Sequence, residues 1–251
     1  MSNFHLPILL YHRIVNENSK IGKHKIYVLE KKFREQMRFL KENNYKTIAF
    51  NEIEKTSAEK NIILTFDDGY EDNYTILFPI LKEFGFTAVI YLVTKQTKNE
   101  WAIKEGEPEL KMMRKEMIRE MSDYGIEFGG HTRTHVDLTR LNESFGQEKT
   151  PIEKLTDEIA GCKKDVEEIT GKPTISFAYP FGAHNDETLQ AVRDAGYKYG
   201  ITTIFGPKKW QEDLMRIRRI EVRPKTTLFS FKRKVSGKYF EKSIYNLFSG
   251  K

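Results

Sequence analysis

The chain predicts an α/β fold built on a buried parallel sheet, and three observations predict it. Short β-branched and apolar runs alternate with longer stretches whose apolar side chains fall at helical spacing, the order of βαβ units. The run Ile62-Ile63-Leu64-Thr65-Phe66 is apolar on both faces, as a strand covered on both sides must be. It stops abruptly at Asp67-Asp68-Gly69, and function in such folds gathers at that end of the strands.

Taken in order, Leu6 to His12 reads as a first buried strand delivering His12 to its carboxyl end. Residues 13 to 29 are polar, with little periodicity, and read as a loop. Glu30 to Asn43 carries Phe33, Met37, Phe39 and Leu40 at near-helical spacing, and Tyr45 to Phe50 reads as a second strand. Behind the central strand, Asn73 to Phe84 places Ile76, Leu77, Ile80, Leu81 and Phe84 on one stripe that Gly85 ends. Phe86 to Val93 is the next strand, and Thr94 to Glu109 a polar excursion beyond it. Met112, Met113, Met117 and Met121 stripe a helix over Lys111 to Tyr124 and read as core packing. Pro151 to Thr170 is a long charged helix that turns Ile152, Leu155, Ile159, Cys162, Val166 and Ile169 inward before Gly171. Strand Thr174 to Tyr179, helix Glu187 to Ala195, strand Tyr199 to Thr203 and strand Arg218 to Val222 bring the count to about eight strands. No internal repeat or low-complexity linker divides the 251 residues, so one domain is expected.

Composition excludes several classes. With 39% hydrophobic and 31% charged residues the chain is neither disordered nor membrane-spanning, and no apolar run approaches bilayer length. Met1 to Leu10 lacks the basic start and long apolar core of a secretory signal, which with the single Cys162 predicts a cytoplasmic protein. Cys162 itself falls in a helical pattern and reads as inert core. A net charge of +6 suits an anionic partner, but no nucleic-acid signature accompanies it, so none is expected to bind.

The chemistry gathers in two stretches. Adjacent acids at a strand end repel each other, which a cation or a raised pKa would relieve; Asp-Gly is also ordinary turn or cap chemistry. The second stretch, Ile126 to His135, ends in two glycines followed by His131 and His135. Spacing of four on a helical turn would put both imidazoles on one side. With one of the two aspartates they supply three ligands and leave a position open, as catalytic zinc requires.

Thr65-Phe66-Asp67-Asp68-Gly69 and His131-Thr132-Arg133-Thr134-His135 resemble the first two motifs of the polysaccharide deacetylases, carbohydrate esterase family four, the NodB homology domain. Phe177-Ala178-Tyr179-Pro180-Phe181-Gly182 resembles the third. The resemblance implies a distorted, incomplete (β/α) barrel of about seven parallel strands. It also implies a divalent metal, usually zinc, and removal of acetyl groups from N-acetylated sugars. Such a donor set also accepts cobalt, nickel or iron.

By the family's motifs, Asp67 is the base, while Asp68, His131 and His135 hold the metal. Tyr179, Pro180, Phe181 and Gly182 form the substrate-side turn, with the Phe181 N–H facing the oxyanion. Two departures stand out. Ala178 occupies the place where relatives often carry an arginine that orients the base, and Arg219 is the candidate replacement. The family's C-terminal Leu-x-His is absent, and Leu10-Tyr11-His12 has that pattern at the other end, resembling the circularly permuted poly-N-acetylglucosamine deacetylases. His12 is therefore the expected general acid, His184 the second candidate, and His5 and His24 surface residues. Trp101 reads as a sugar-stacking platform or an ordinary packed tryptophan.

The expected activity is metal-dependent N-deacetylation of an N-acetylhexosamine glycan or precursor. An esterase or other amide hydrolase on the same metal, and an inactive sugar-binding barrel, are the alternatives. The basic, aromatic segment 225 to 251 is an extension that packs across the barrel's bottom or rests on an anionic membrane. Oligomeric state is not legible.

Overall fold

The computed structural model of the chain describes residues 6–55, 60–141, 151–205 and 210–237. Its strands are β1 (Ile8–Tyr11), β2 (Arg13–Val15), β3 (Tyr27–Leu29), β4 (Lys46–Thr47) and β5 (Asn61–Phe66), then β6 (Val89–Leu92), β7 (Glu127–Gly130), β8 (Ser176–Ala178), β9 (Tyr199–Ile201) and β10 (Ile220–Glu221). Seven of them curl into an incomplete barrel in the spatial order β10-β1-β5-β6-β7-β8-β9, every neighbouring pair parallel. The edge of β5 is shared: its first residues pair with β4 and its last with β6.

The gap between β9 and β10 is spanned by one segment. Ile217 bridges to Ile201 of β9, and three residues later Ile220 pairs with Leu9 of β1. Both ends of the chain's ordered barrel therefore meet beside β1.

Alternation along β5 assigns its faces. Ile62, Leu64 and Phe66 join the apolar layer beneath the helices, while Ile63 joins the cluster inside the barrel with Ile8, Val89, Tyr91, Ala178 and Ile201. By the same two-residue period Thr65 and Asp67 point inward.

The outer helices are α1 (Glu30–Glu42), α2 (Phe78–Phe84), α3 (Glu100–Ile103), α4 (Lys115–Tyr124), α5 (Pro151–Thr156), α6 (Cys162–Thr170), α7 (Asp186–Asp194) and α8 (Leu228–Val235). Gly85, Gly125 and Gly171 close α2, α4 and α6 in left-handed geometry, the conformation glycine adopts without a Cβ penalty. All four methionines of the stripe are buried, although α4 begins only at Lys115 and Met112 instead bridges to Tyr70.

Several expectations change. Residues 13–29 are not simply a loop, because β2 and β3 pair in parallel and bury Ile14, Val15 and Val28 among polar neighbours that hid the pattern. The expected strand at Tyr45–Phe50 is two residues long and runs into a 3-10 turn at Phe50–Glu52. The helix from Pro151 is interrupted by a wide π turn at Asp157–Gly161, which inserts a residue into the repeat. Ile152 lies before that phase shift and is 67% exposed, not inward, while Leu155, Ile159, Cys162, Val166 and Ile169 are buried. The described part of the C-terminal extension does not cross the barrel's bottom: α8 packs on α1, with Phe231 fully buried edge-on to Phe39. Residues 238–251 lie outside the described residues. Among the described residues no helix is long and apolar enough to cross a membrane.

Candidate active site

Strand ends deliver the chemistry. His12 follows β1, Asp67 and Asp68 follow β5, His131 follows β7 and Tyr179 follows β8, so all converge at the carboxyl end of the barrel. They line a cavity of about 410 Å³ that also takes in Arg13, Tyr70, Trp101, His135, Phe181 and Glu221.

Asp68, His131 and His135 are buried, and their ligand atoms lie within 4.8 Å of one another. The Asp68 Oδ1 stands 3.3 Å from the Nε2 of each imidazole, yet it is buried and forms no hydrogen bond. Three donors thus face a common point without satisfying each other, which is the condition a metal ion resolves. His131 is oriented for that by its Nδ1, 2.7 Å from the Ala178 carbonyl, which frees Nε2 as the ligand atom. Burial opposes charge on both histidines. It wins at His135, lowering it, whereas at His131 the Asp68 and Asp67 carboxylates reverse it and raise the imidazole. Burial also raises Asp68, but its two imidazole neighbours more than offset that and hold it well below the usual carboxylate range.

The two histidines are not on a helical turn. They sit at either end of a loop in which Thr132 has φ 64° and His135 φ 60°. A left-handed threonine is a costly conformation, and the His135 N–H donates to the Thr132 Oγ1 at 2.9 Å to hold it. Among the described residues six non-glycines have positive φ, and four of them (Asp68, Thr132, His135 and Phe181) are at this site, which marks where the fold concentrates backbone strain.

Asp67 is handled differently from its neighbour. The Arg219 Nη1 and Nη2 donate to its two oxygens at 2.6 and 2.7 Å, a fork-to-carboxylate pair buried on both sides. The same guanidinium donates to the Thr202 carbonyl at 3.0 Å and the Thr65 hydroxyl at 3.1 Å. Burial pushes the Asp67 carboxyl up, and the Arg219 charge and hydrogen bonds outweigh it, leaving the acid lowered.

His12 is half-buried and lines the cavity with these acids. His184 does not: its Nδ1 contacts the Gly182 carbonyl at 2.8 Å, outside the cavity lining. Of the Tyr179-to-Gly182 turn, Tyr179 and Phe181 line the cavity, whereas Pro180 and Gly182 shape the chain. A Cβ on Gly182 would lie 2.0 Å from the Thr203 Oγ1, so only glycine fits there. Phe181 meets His135 in a T-shaped contact with ring centroids 4.7 Å apart, and Trp101 stacks on the same imidazole at 4.3 Å. His24 is exposed, as expected of a surface residue, and also borders the cavity, 3.0 Å from Glu105, because its loop folds against Glu105 and Glu107. His5 lies outside the described residues.

Sequence reasoning missed Arg13, whose Nε donates to Asp72 at 2.7 Å and whose guanidinium lies over the Tyr70 ring. Burial drives Asp72 up to about 6 against the pull of Arg13. Adjacency to His12 and to the Asp-Asp-Gly motif was the one available signal.

An incomplete parallel barrel that gathers a buried Asp, His and His at its carboxyl end offers a set of residues able to hold a metal ion. The polysaccharide deacetylase family model matches residues 54–200, and the chain belongs to that family. YxkH of Bacillus subtilis (strain 168), whose name carries the same family, is 32% identical over 225 residues, covering 87% of this chain and 72% of that one. The poly-beta-1,6-N-acetyl-D-glucosamine N-deacetylase of Staphylococcus aureus (strain MRSA252) is 27% identical over 184 residues, 70% of this chain and 60% of that protein. Among solved structures, the Streptococcus pyogenes deacetylase PplD in complex with acetate superposes with a TM-score of 0.75 at 26% identity, covering 92% of this chain and 97% of that one. The family match includes Asp67, Asp68, His131 and His135 but neither His12 nor Arg219.

Proposed function

We propose that this protein is a metal-dependent N-deacetylase acting on an N-acetylhexosamine-containing glycan or glycan precursor, with zinc held by Asp68, His131 and His135. The observation that carries the reading is the unsatisfied Asp68 Oδ1 between two imidazoles, directly beside a second acid whose charge is fixed by Arg219. Bound there, a divalent ion supplies Lewis acidity toward an acyl oxygen and toward water.

The chain's own residues do the rest. Hydrolysis adds water across the C–N bond: the acyl carbon takes the oxygen, and nitrogen leaves with a proton. Asp67, kept ionised by Arg219, takes the water's proton. His12, across the cavity, returns a proton to the departing amine. The Phe181 N–H, in a turn made rigid by Pro180, donates to the oxyanion. Trp101 stacks on His135 and Phe181 meets it edge-to-face, and the two leave an apolar wall against which a sugar ring can stack.

The kinship with poly-N-acetylglucosamine N-deacetylases supports an N-acetyl over an ester substrate. We place the reaction in the cytoplasm, with 225–251 as a peripheral membrane contact. Of its described aromatics, Phe231 is committed to the core and Phe229, 72% exposed beside basic residues, is the available anchor.

The test is acetate release from short N-acetylglucosamine oligomers by zinc-loaded protein, with chelated protein as control. Zinc-dependent release is expected. Release unaffected by chelation would remove the metal from the reading, and stoichiometric zinc without release would point to another acyl substrate.

A further inference from the structure

The loop that carries both histidines is gripped from the side by a helix that contributes no ligand. Glu158 lies on the π turn Asp157–Gly161 and is 4% exposed. Its three hydrogen bonds all come from this loop. One oxygen accepts the N–H groups of Arg133 at 2.8 Å and Thr134 at 3.0 Å, and the other accepts the Thr134 hydroxyl at 2.7 Å. The Arg133 side chain, instead of pairing with Glu158, crosses the same turn. It donates to Asp165 at 2.9 and 3.1 Å and to Asp157 at 2.6 Å. Gly161 makes the crossing possible, since a Cβ there would lie 2.6 Å from the Arg133 guanidinium.

Two facts give this clamp a purpose. Thr132 and His135 both hold left-handed backbone, a conformation that persists only where surroundings enforce it. The residues between them are the two that Glu158 holds. A π turn is also a recurrent mark of function, because its extra residue re-aims one side chain of a helix.

We propose that Glu158 is a positioning residue for the metal centre: by fixing the main chain at Arg133-Thr134 it holds the bend that turns His135 toward Asp68 and His131. This inference rests on the metal reading of the site. Partners of this kind, one shell behind the ligands, set metal affinity by about 10–100-fold.

The experiment measures zinc affinity of the full chain, stripped of metal, by competition with a chromophoric chelator. Glu158→Ala should weaken zinc binding by about 10–100-fold with the far-UV circular dichroism unchanged. Glu158→Gln should stay within about threefold of the native chain, because its amide oxygen still accepts both N–H groups and its NH2 can donate to the Thr134 hydroxyl. Thr134→Val, which removes one of the three hydrogen bonds, should weaken zinc by about threefold. Native affinity in Glu158→Ala overturns the proposal, as does Glu158→Gln binding as poorly as Glu158→Ala, since charge and not positioning would then matter. If Glu158→Ala does not fold, Thr134→Val decides, and unchanged affinity there refutes the clamp. Absence of zinc binding by the native chain would bring down the metal reading and this inference together, whereas tight native binding that no variant alters sinks the inference alone.

Discussion

On the side of the cleft proposed to hold the metal, Asp68, His131 and His135 come from two segments inside the stretch that the family model matches. On the side proposed for acid-base work only Asp67 does; Arg219 reaches it from 152 positions later, and His12 follows the first strand. The first group needs the turn after β5, the loop after β7 and the clamp on it. The second needs the barrel to close, because Arg219 immediately precedes β10, which pairs with β1, which pairs with β5. The same chemistry can therefore be assembled from ends of the chain that are far apart in sequence, provided that they are neighbours in the barrel.

The sharpest separation of the two sides is between His131→Ala and Asp67→Asn. His131→Ala should lose zinc and turnover together. Asp67→Asn should keep zinc, measured by metal analysis, while turnover falls by roughly 10³-fold. Equal metal loss in both would mean that the two acids share the ion and that the division is wrong.

Arg219→Ala tests the closure. It strands a buried carboxylate without its cation, which costs about 3–5 kcal/mol in unfolding measurements. With Arg219 gone, burial acts unopposed and Asp67 rises, so the acidic limb of the pH–rate profile should move to higher pH. The sign is fixed by the native arrangement: a lowered acid contributes stability above its unfolded value and loses it only as pH falls through the folded one. A profile that keeps its acidic limb would show that Arg219 does not tune the base.

How far the residues announced this arrangement depends on the range of the interaction. The strand ending in Asp67-Asp68 is a local pattern and forms as read, whereas the helices expected over 73–84 and 111–124 keep their apolar stripes but not their bounds, since Asn73–Leu77 is a π turn ahead of α2 and α4 starts at Lys115. Ala178 in place of an arginine pointed to a missing cation, and the Arg219 fork stands on Asp67. The spacing of His131 and His135 suggested a helix for the wrong reason, since two left-handed residues bring the rings together in a loop and no periodicity encodes that. Glu158 was invisible because its direction depends on a π turn that shifts the helical phase. Trp101 admitted two readings, and its stack on His135 depends on where the short α3 is set down against the histidine loop, which no local rule dictates.

His12→Ala probes the acid-base side without touching its ion pair. Turnover should drop by roughly 10²-fold with zinc retained, and the loss should be smallest on substrates whose leaving group needs no proton, such as activated aryl acetates. His184→Ala should leave turnover within about twofold, because loss of a general acid is worth far more than that. A large effect at His184 and none at His12 would break the assignment of the first strand to catalysis.

The smallest effect compares buried Asp67 with Glu127, a half-buried acid of the same barrel. Asp67 has a guanidinium; for Glu127, at the start of β7, no ion pair is seen among the described residues. One of its oxygens accepts the Asn51 N–H at 2.9 Å, and the other is shielded from solvent. Burial pushes Glu127 up to about 7. A raised acid is the reverse of Asp67: its contribution to stability is complete below the unfolded carboxylate value and is lost as pH rises through about 7. Denaturant unfolding of the native chain should therefore show stability falling between pH 5 and pH 8, a range set by that window, by up to ~3 kcal/mol from this group. Glu127→Gln should flatten that slope and leave the acid limb governed by Asp67 in place. An unchanged slope would mean that Glu127 is relieved by water inside the barrel, and that a carboxylate can be housed there without the cation Asp67 requires.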